Sequence, residues 1–354
     1  MAIATEPIGS VPRPAELLEA MRARAAGRIS EEQFRAAEEA ALRDTIGRFE
    51  ETGSPVISDG EQTKPSFATY PLVGLNLAPD GVVIPFADGH TRQLPKLAAG
   101  PFRYGVHAVQ YLKAALRFAR RPVKQAVISA SALSLLYPET GLPGYSREQF
   151  VADLVNEARR DIRECLEAGA ACVQIDFTEG RLALKLDPSG KVLESFVELN
   201  NRVLEGFGTA DRAKIGVHTC PGGDQDSTHS ADVDYVGLLP HLFRLKVGRF
   251  YFQLASEPDR KHVLRAVRPL LPTGVKLFVG VTDPISRRIE TPEEVRDRVF
   301  EAAEFVPVAQ LGTTDDCGFS PFADDTSTSR DIAFAKIRSR VEGTRLASET
   351  LCRQ

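Results

Sequence analysis

The chain has 354 residues, of which 43% are hydrophobic, and a formal net charge of -4. This length suits one large α/β domain or two ordinary domains, and the charge excludes a bulk attraction to nucleic acid or to an anionic membrane. No apolar run approaches the roughly 18 to 20 residues that span a bilayer, and residues 1–7 lack the basic and apolar regions of a signal peptide. The five cysteines are odd in number and sparse, which favours reduced thiols and a cytoplasmic protein.

Short apolar runs alternate with longer amphipathic stretches along the chain. Helical patterns include Arg147–Ala168 and Thr291–Phe305, the second opened by a Thr-Pro-Glu-Glu start signal. Eight strands, each followed by a helix, predict an α/β fold with a single (β/α)8 TIM barrel over residues 1–354. The eight predicted strands are Ala4–Ile8, Val56–Ser58, Val123–Ser129, Cys172–Phe177, Lys214–His218, Phe250–Leu254, Lys276–Val281 and Val308–Gly312.

Residues 70–104 interrupt this alternation. Gly81–Phe86 and His90–Leu94 alternate in polarity and lie among Pro and Gly residues, which predicts a β-hairpin inserted after strand two. We expect this hairpin to lie over the C-terminal mouth of the barrel, where the active sites of such barrels are built.

A candidate metal site comes from two strand ends that are distant in sequence. His218 and Cys220 are two residues apart, so their side chains point the same way, and Cys317 follows a later strand. Two thiolates and one imidazole favour zinc. The alternative is a satisfied core histidine with inert buried thiols. A fourth ligand is sought near the end of strand six, where Glu257 is preferred modestly over the weak ligand Gln253; His229 is a third candidate.

Two carboxylates, Glu61 and Asp176, end otherwise apolar strands. Burial of such a charge is costly without a cationic partner. A substrate ammonium would serve, and so would an internal ion pair with Arg181, Lys185 or Lys64, and the sequence leaves both open. Ser10, in Ile8-Gly9-Ser10, offers a weak candidate anion site.

Five motifs together resemble the catalytic barrel of the cobalamin-independent methionine synthase family: Ile8-Gly9-Ser10, Gly60-Glu61, Gln174-Ile175-Asp176, His218-x-Cys220 and Asp316-Cys317-Gly318. The resemblance extends from Thr5 to the last helix. It implies methionine biosynthesis, in which zinc on the His and the two Cys residues binds homocysteine as the thiolate that attacks a methyl group. It further implies that Glu61 and Asp176 hold the amino group of homocysteine and that Ser10 meets its carboxylate.

Three features depart from the family pattern. Folate-using synthases carry an additional N-terminal barrel, for which 354 residues leave no room. The loop Thr282–Arg287 has Ile285 where the family places a histidine that protonates the leaving group. The family's fourth zinc ligand is a glutamate on strand six, and Gln253 lies at or next to that place. A methyl donor that departs without strong protonation, such as a methylated corrinoid, a sulfonium or an activated ether, is therefore easier to accommodate than methyl-folate.

We therefore expect a zinc-dependent methyl or alkyl transferase that activates a thiol such as homocysteine. Its partners would be the small-molecule thiol and the methyl donor, without nucleic acid or membrane, and a homo-oligomer is compatible with the sequence. The alternatives are a metal-free lyase similar to uroporphyrinogen decarboxylase and a catalytically silent barrel that binds an amino acid or a thiol. The sequence identifies no catalytic acid or base.

Overall fold

The computed structural model describes residues 2–352, which form thirteen strands and twelve α-helices. Short 3-10 turns lie at Tyr70–Leu72 and Tyr235–Leu238. No helix in this part of the chain has both the length and the apolarity needed to cross a membrane. In chain order the elements are β1 (Ala4–Thr5), α1 (Ala15–Ala25), α2 (Glu31–Glu51), β2 (Leu77–Ala78), β3 (Val83–Pro85), β4 (Thr91–Gln93), β5 (Lys96–Leu97), α3 (Val109–Leu116), β6 (Lys124–Ile128), α4 (Ala130–Ser134), α5 (Arg147–Glu167), β7 (Cys172–Asp176), α6 (Glu179–Leu186), α7 (Lys191–Leu204), α8 (Thr209–Arg212), β8 (Ile215–Thr219), β9 (Gly223–Asp224), β10 (Ser227–Thr228), α9 (Leu239–Leu242), β11 (Arg249–Phe252), α10 (Arg260–Val267), β12 (Lys276–Thr282), α11 (Pro292–Ala303), β13 (Leu311–Asp315) and α12 (Arg330–Leu351).

Seven parallel strands form the central sheet in the order β1-β13-β12-β11-β8-β7-β6. Because all seven run the same way, their carboxyl ends meet at one edge. The register places Asp176 of β7 beside His218 of β8. The sheet therefore brings together two of the polar residues that the sequence singles out.

The sequence predicts this parallel α/β sheet, but two strand predictions need correction. Val56–Ser58 forms no strand; Ile57 makes one isolated parallel bridge to Val123. The last strand begins at Leu311 instead of Val308, because the chain turns at 307–310, where the amide of Gln310 donates to the carbonyl of Pro307 at 2.7 Å. Helices α5 and α11 form where predicted, and each begins with a capping box.

Side chains fill the space enclosed by the curled sheet. Ile8, Cys172, Tyr251 and Phe278 form a buried cluster, in which the Tyr251 and Phe278 rings stack at 4.7 Å. The ammonium of Lys124 lies 3.6 Å from the centre of the Tyr251 ring. Because this interior is packed, open space for chemistry lies at the carboxyl edge of the strands.

Residues 70–104 contain two short antiparallel pairs, β2 with β5 and β3 with β4. We call the segment Val83–Gln93 the cover hairpin. Its tip rests on the β9–β10 pair, where the amide of Ala87 donates to the carbonyl of Thr228 at 2.9 Å. The cover hairpin thus contacts the loop that follows His218 and Cys220.

Candidate active site

Three potential metal ligands converge at the carboxyl edge of the sheet. His218 is the last residue but one of β8, Cys220 directly follows this strand, and Cys317 lies two residues after β13. Their ligand atoms all lie within 4.8 Å of one another, and the two sulfurs are 3.0 Å apart. All three side chains are buried. The structure therefore places all three residues together, whereas strand alternation alone relates only His218 and Cys220.

Asp316 fixes the position of Cys317. Its carboxylate accepts hydrogen bonds from three successive amides after β11, those of residues 254–256, at 2.7 to 2.8 Å. A Cβ at Gly280 would lie 1.8 Å from Asp316 Oδ1, so only glycine leaves room for this carboxylate. The loop that carries Cys317 is thereby tied to the neighbouring strand.

His218 is oriented by Asp176. The ring Nδ1 lies 3.1 Å from Asp176 Oδ1, and Nε2 lies 3.3 Å from the carbonyl of Asp316. Burial lowers the pKa of His218, but the hydrogen bond to Asp176 raises it, and the net shift is upward. A carboxylate on one ring nitrogen leaves the other nitrogen as the donor to a metal, which is the usual arrangement around metal-binding histidines.

The thiols of Cys220 and Cys317 each influence the pKa of the other. A hydrogen bond from Cys220 lowers the pKa of Cys317, and His218 acts in the same direction against the effect of burial. Burial raises the pKa of Cys220. The environment therefore favours a thiolate on Cys317, the form that binds metal.

Glu61 has an internal cationic partner. Its Oε1 lies 3.2 Å from Lys64 Nζ, which also donates to the carbonyl of Ala126 at 2.9 Å. Burial raises the pKa of Glu61, and Lys64 opposes this shift. Of the three cations considered from the sequence, Lys64 pairs with Glu61, whereas Arg181 pairs with Glu257 and Lys185 with Asp232.

The two strand-six candidates for a fourth ligand, Glu257 and Gln253, both bond to Arg181. Arg181 Nη1 donates to Glu257 at 2.7 Å and to Gln253 at 3.0 Å. Glu257 therefore lies in an ion pair and outside the His218, Cys220 and Cys317 group. Gln253 lines a cavity of about 140 Å³ together with Cys317 and Ile285.

A second small cavity joins the predicted substrate residues to the potential metal ligands. Its volume is about 70 Å³, and its lining includes Ser10, Glu61, Asp176, His218 and Cys317. Ser10 Oγ accepts from the amide of Ser320 at 3.2 Å, which leaves the hydroxyl proton free to donate. The close approach of Ser10 needs a glycine at 318, because a Cβ there would lie 2.1 Å from Ser10 Oγ.

A third cavity, of about 840 Å³, adjoins this one and was not foreseen from the sequence. Ile84 and Arg92 of the cover hairpin, with Phe67, Thr178, His229 and Phe322, line both spaces. Glu179, at the start of α6, also lines the large cavity. Glu179 is a charged residue just beyond β7, and this position is the sequence signal that could have singled it out.

Comparisons with known proteins relate this chain to methionine synthases. Residues 2–339 match the profile described as "Cobalamin-independent synthase, Catalytic domain". Proteins named methionine synthase from Sulfurisphaera tokodaii and Saccharolobus solfataricus are 24% and 25% identical to this chain, over 98% and 99% of it and 93% and 96% of their own lengths. The chain is thus a methyltransferase of the methionine-synthase type. It belongs to the cobalamin-independent synthase catalytic-domain family.

A solved structure shares the fold. It is described as a B12-independent methionine synthase from Shewanella in complex with selenomethionine, and it covers 100% of both chains with a TM-score of 0.79. Its sequence identity to this chain is 20%. The similarity therefore extends over the whole architecture described above.

Proposed function

We propose that this chain transfers a methyl group to the sulfur of homocysteine and that zinc is held by His218, Cys220 and Cys317. The observation that carries the proposal is the convergence of these three ligands beside the cavity that contains Glu61 and Asp176. One imidazole and two thiolates fit zinc better than magnesium or calcium. Zinc, when bound, lowers the pKa of the acceptor thiol so that it reacts as a thiolate.

The charge balance of the cavity supports an acceptor that carries an ammonium group. Asp59, Glu61 and Asp176 are buried carboxylates, whereas the nearby cations are Lys64, which bonds to Glu61, and the buried guanidinium of Arg13. An ammonium would offset the remaining negative charge. The free hydroxyl proton of Ser10 would donate to the carboxylate at the other end of an amino acid.

The fourth metal position would be open to the acceptor sulfur. Glu257 could reach a metal only by leaving Arg181, and breaking a buried ion pair costs about 3 to 5 kcal/mol. Gln253 lines the same small cavity as Cys317 but is bonded to Arg181 and Ser256. An open fourth position is the arrangement of a catalytic zinc site.

Residues 56–60 would close the sheet into a barrel and complete a single domain. Ile57 bridges to Val123 on one side. On the other side Ser58 Oγ donates to the carbonyl of Gly9 at 2.7 Å, and the amide of Val11 donates to the carbonyl of Gly60 at 3.1 Å. These bonds connect the two edges of the seven-stranded sheet through the segment that the sequence predicts as strand two.

Metal analysis and thiol methylation test the proposed function. We expect purified protein to hold about one zinc per chain and to methylate homocysteine with methyl iodide, whose leaving group needs no proton. Cys317→Ser should lose zinc and this activity while the fold is retained, because rim residues contribute little to the core. Cys352→Ser, at the end of α12, is the matched control and should behave as the parent. Full zinc occupancy in a Cys220→Ser, Cys317→Ser double variant would contradict the proposed metal site, and so would a metal-free parent.

A further inference from the structure

We propose that Glu179 is the acid that gives a proton to the leaving group of the methyl donor, and that the donor places an uncharged, mostly apolar ring system in the cavity of about 840 Å³. The proposal rests on the methyl-transfer function proposed above. It concerns the donor half of the reaction, which the metal ligands and the amino-group site do not explain.

The large cavity is suited to an apolar body. Aliphatic and aromatic side chains from the cover hairpin, α4, α6 and α7 form most of its wall, among them Ile84, Leu133, Leu182 and Phe196. Its shared lining with the small cavity, through Phe67 and Phe322, gives the donor a route to the acceptor sulfur. A ring system held here would present its methyl group toward Cys317 and His218.

The cations of the cavity wall are already paired. Arg92 bonds to Asp224 and to Asp324, and Arg22 bonds to Glu19 at 3.1 Å. Little positive charge is left in this wall to attract an anionic group. The part of the donor inside the cavity is therefore expected to be uncharged.

Hydrogen bonds hold the Glu179 carboxylate in place. Its Oε1 accepts hydrogen bonds from Ser129 Oγ and Ser131 Oγ, both at 2.5 Å. Asn200 Nδ2 donates to Ser131 Oγ at 2.7 Å and so fixes this hydroxyl. The other oxygen, Oε2, is buried and has no hydrogen-bond partner within residues 2–352.

This arrangement directs a proton to Oε2. Oε1 already accepts two hydroxyl protons, so a protonated carboxyl carries its own hydrogen on Oε2, the oxygen that has no partner among the described residues. Burial raises the pKa of Glu179 to about 7, although the hydrogen bonds from Ser129 and Ser131 act in the opposite direction. An acid with such a pKa is well matched to proton transfer near neutral pH.

Other residues near the donor are poorly suited to this task. Ile285 lies where the family has its proton-donating histidine and has no proton to give. Burial, with Lys185 and Arg181, lowers the pKa of His229 to about 4, so this histidine is neutral at pH 7. Its Nδ1 also lies 2.9 Å from Ser230 Oγ. Glu179 therefore reverses the expectation, based on Ile285, that the donor departs without protonation.

Methyl transfer and proton transfer occur together in this step. An electron pair of the acceptor thiolate forms the S–C bond to the methyl carbon, and the bond from that carbon to the donor's nitrogen or oxygen breaks. Its electron pair stays on the leaving atom, which takes the proton from Glu179 Oε2. The resulting carboxylate regains a proton from solvent, which has received the proton lost by the acceptor thiol.

Glu179→Gln tests the proposal with homocysteine as acceptor and two kinds of donor. Glutamine keeps an oxygen for Ser129 and Ser131 but has no acidic proton. With donors that need protonation, represented by 5-methyltetrahydrofolate and methyl aryl ethers, we expect the rate to fall about 10²- to 10⁴-fold. With methyl iodide the rate should stay within about twofold, because iodide leaves without a proton. Glu194→Gln, an exposed glutamate of α7 paired with Arg244, is the matched control for both donors.

Infrared spectroscopy gives a second readout that does not depend on turnover. The difference spectrum of the parent minus Glu179→Gln at pH 6 should contain a protonated-carboxyl band, and the difference spectrum of the parent minus Glu194→Gln should not. The other buried carboxyls, such as Asp161, are common to all three proteins and cancel in these differences. The absence of that band, an equal loss of rate with both kinds of donor, or no loss with either would overturn the proposal. So would a parent that uses methyl iodide but none of the protonation-requiring donors. A parent that fails with methyl iodide counts against the proposed function instead, and the infrared band still decides the state of Glu179.

Discussion

The carboxylate of Glu61 can be tested with a pair of thiols that differ in one group. Glu61→Gln should weaken homocysteine binding about ten- to a hundredfold, because a charge-assisted hydrogen bond contributes roughly 1.5 to 3 kcal/mol. Binding of 4-mercaptobutyrate, which lacks the amine, should change little. Calorimetric titration of zinc-loaded protein measures both.

Two results would count against the amino-group site. One is unchanged homocysteine binding in both Glu61→Gln and Asp176→Asn, which would leave Glu61 as a structural partner of Lys64 alone. The other is an equal loss for both thiols, which would mean that the substitution disturbs the metal site. Zinc content should stay the same in Glu61→Gln, whose carboxylate does not contact His218, Cys220 or Cys317.

At the residue scale the sequence was most informative where strand geometry decides the outcome. His218 and Cys220 share a direction because side chains alternate along a strand, and the structure places Cys317 beside them. The environment of Glu257 could not be foreseen, because its partner Arg181 lies 76 positions away and approaches only in the fold. Lys64 could be named only as one of three possible partners of Glu61 for the same reason.

An ion pair between Arg92 and the buried Asp224 joins the cover hairpin to β9. Asp224 is fully buried and accepts from Arg92 Nε at 2.5 Å, and His90 Nε2 lies 3.1 Å from it. Removal of the Arg92 guanidinium would leave the buried Asp224 carboxylate with His90 as its remaining side-chain partner among those described here, which is destabilising. We therefore expect Arg92→Met to release the cover hairpin locally and to raise the rate of proteolytic cleavage within residues 81–95.

A neighbouring exposed pair provides the control for the cover hairpin. Lys96 and Asp80 lie 2.5 Å apart, but exposed ion pairs contribute only about 0 to 1 kcal/mol. Lys96→Met should leave the cleavage rate almost unchanged. Equal cleavage of Arg92→Met and the parent would show that the apolar contacts of the hairpin hold it without Asp224.

At the element scale, pattern alone located the strands, helices and antiparallel segments but not how they dock. Polarity alternation indicated residues 81–94, whereas the contact of Arg92 with Asp224 spans 132 positions. The strand predicted at Val56–Ser58 did not form, because its backbone pairing is limited to one bridge, from Ile57 to Val123. The shift of the last strand to Leu311 reflects the turn after Pro307, which a hydrophobicity pattern does not resolve.

A buried carboxyl outside the site governs part of the pH dependence of the whole molecule. Asp161 accepts from the amide of Ala108 at 2.6 Å and from the hydroxyl of Tyr70. Burial raises its pKa to about 6, against the effect of these hydrogen bonds. The folded state therefore binds a proton that the unfolded state has released above about pH 4, so stability falls as the pH rises from about 4 through 6.

Asp161→Asn removes this dependence, because the amide does not titrate. Its oxygen can still accept from the amide of Ala108, and its NH₂ group can donate to the hydroxyl oxygen of Tyr70. The unfolding free energy of the parent relative to the variant should fall by on the order of 3 kcal/mol between pH 4 and pH 7. Urea unfolding across this range measures the difference. A difference that stays constant with pH would show that Asp161 does not titrate between these limits.

If the site is catalytic, its fourth metal position is open to the acceptor sulfur. Zinc-edge X-ray absorption of the zinc-loaded protein, recorded with and without homocysteine, tests it most directly. We expect sulfur from Cys220 and Cys317 and nitrogen from His218 in the first shell, with one further sulfur when homocysteine is added. A first shell that homocysteine leaves unchanged would contradict the account, because the metal would then be structural.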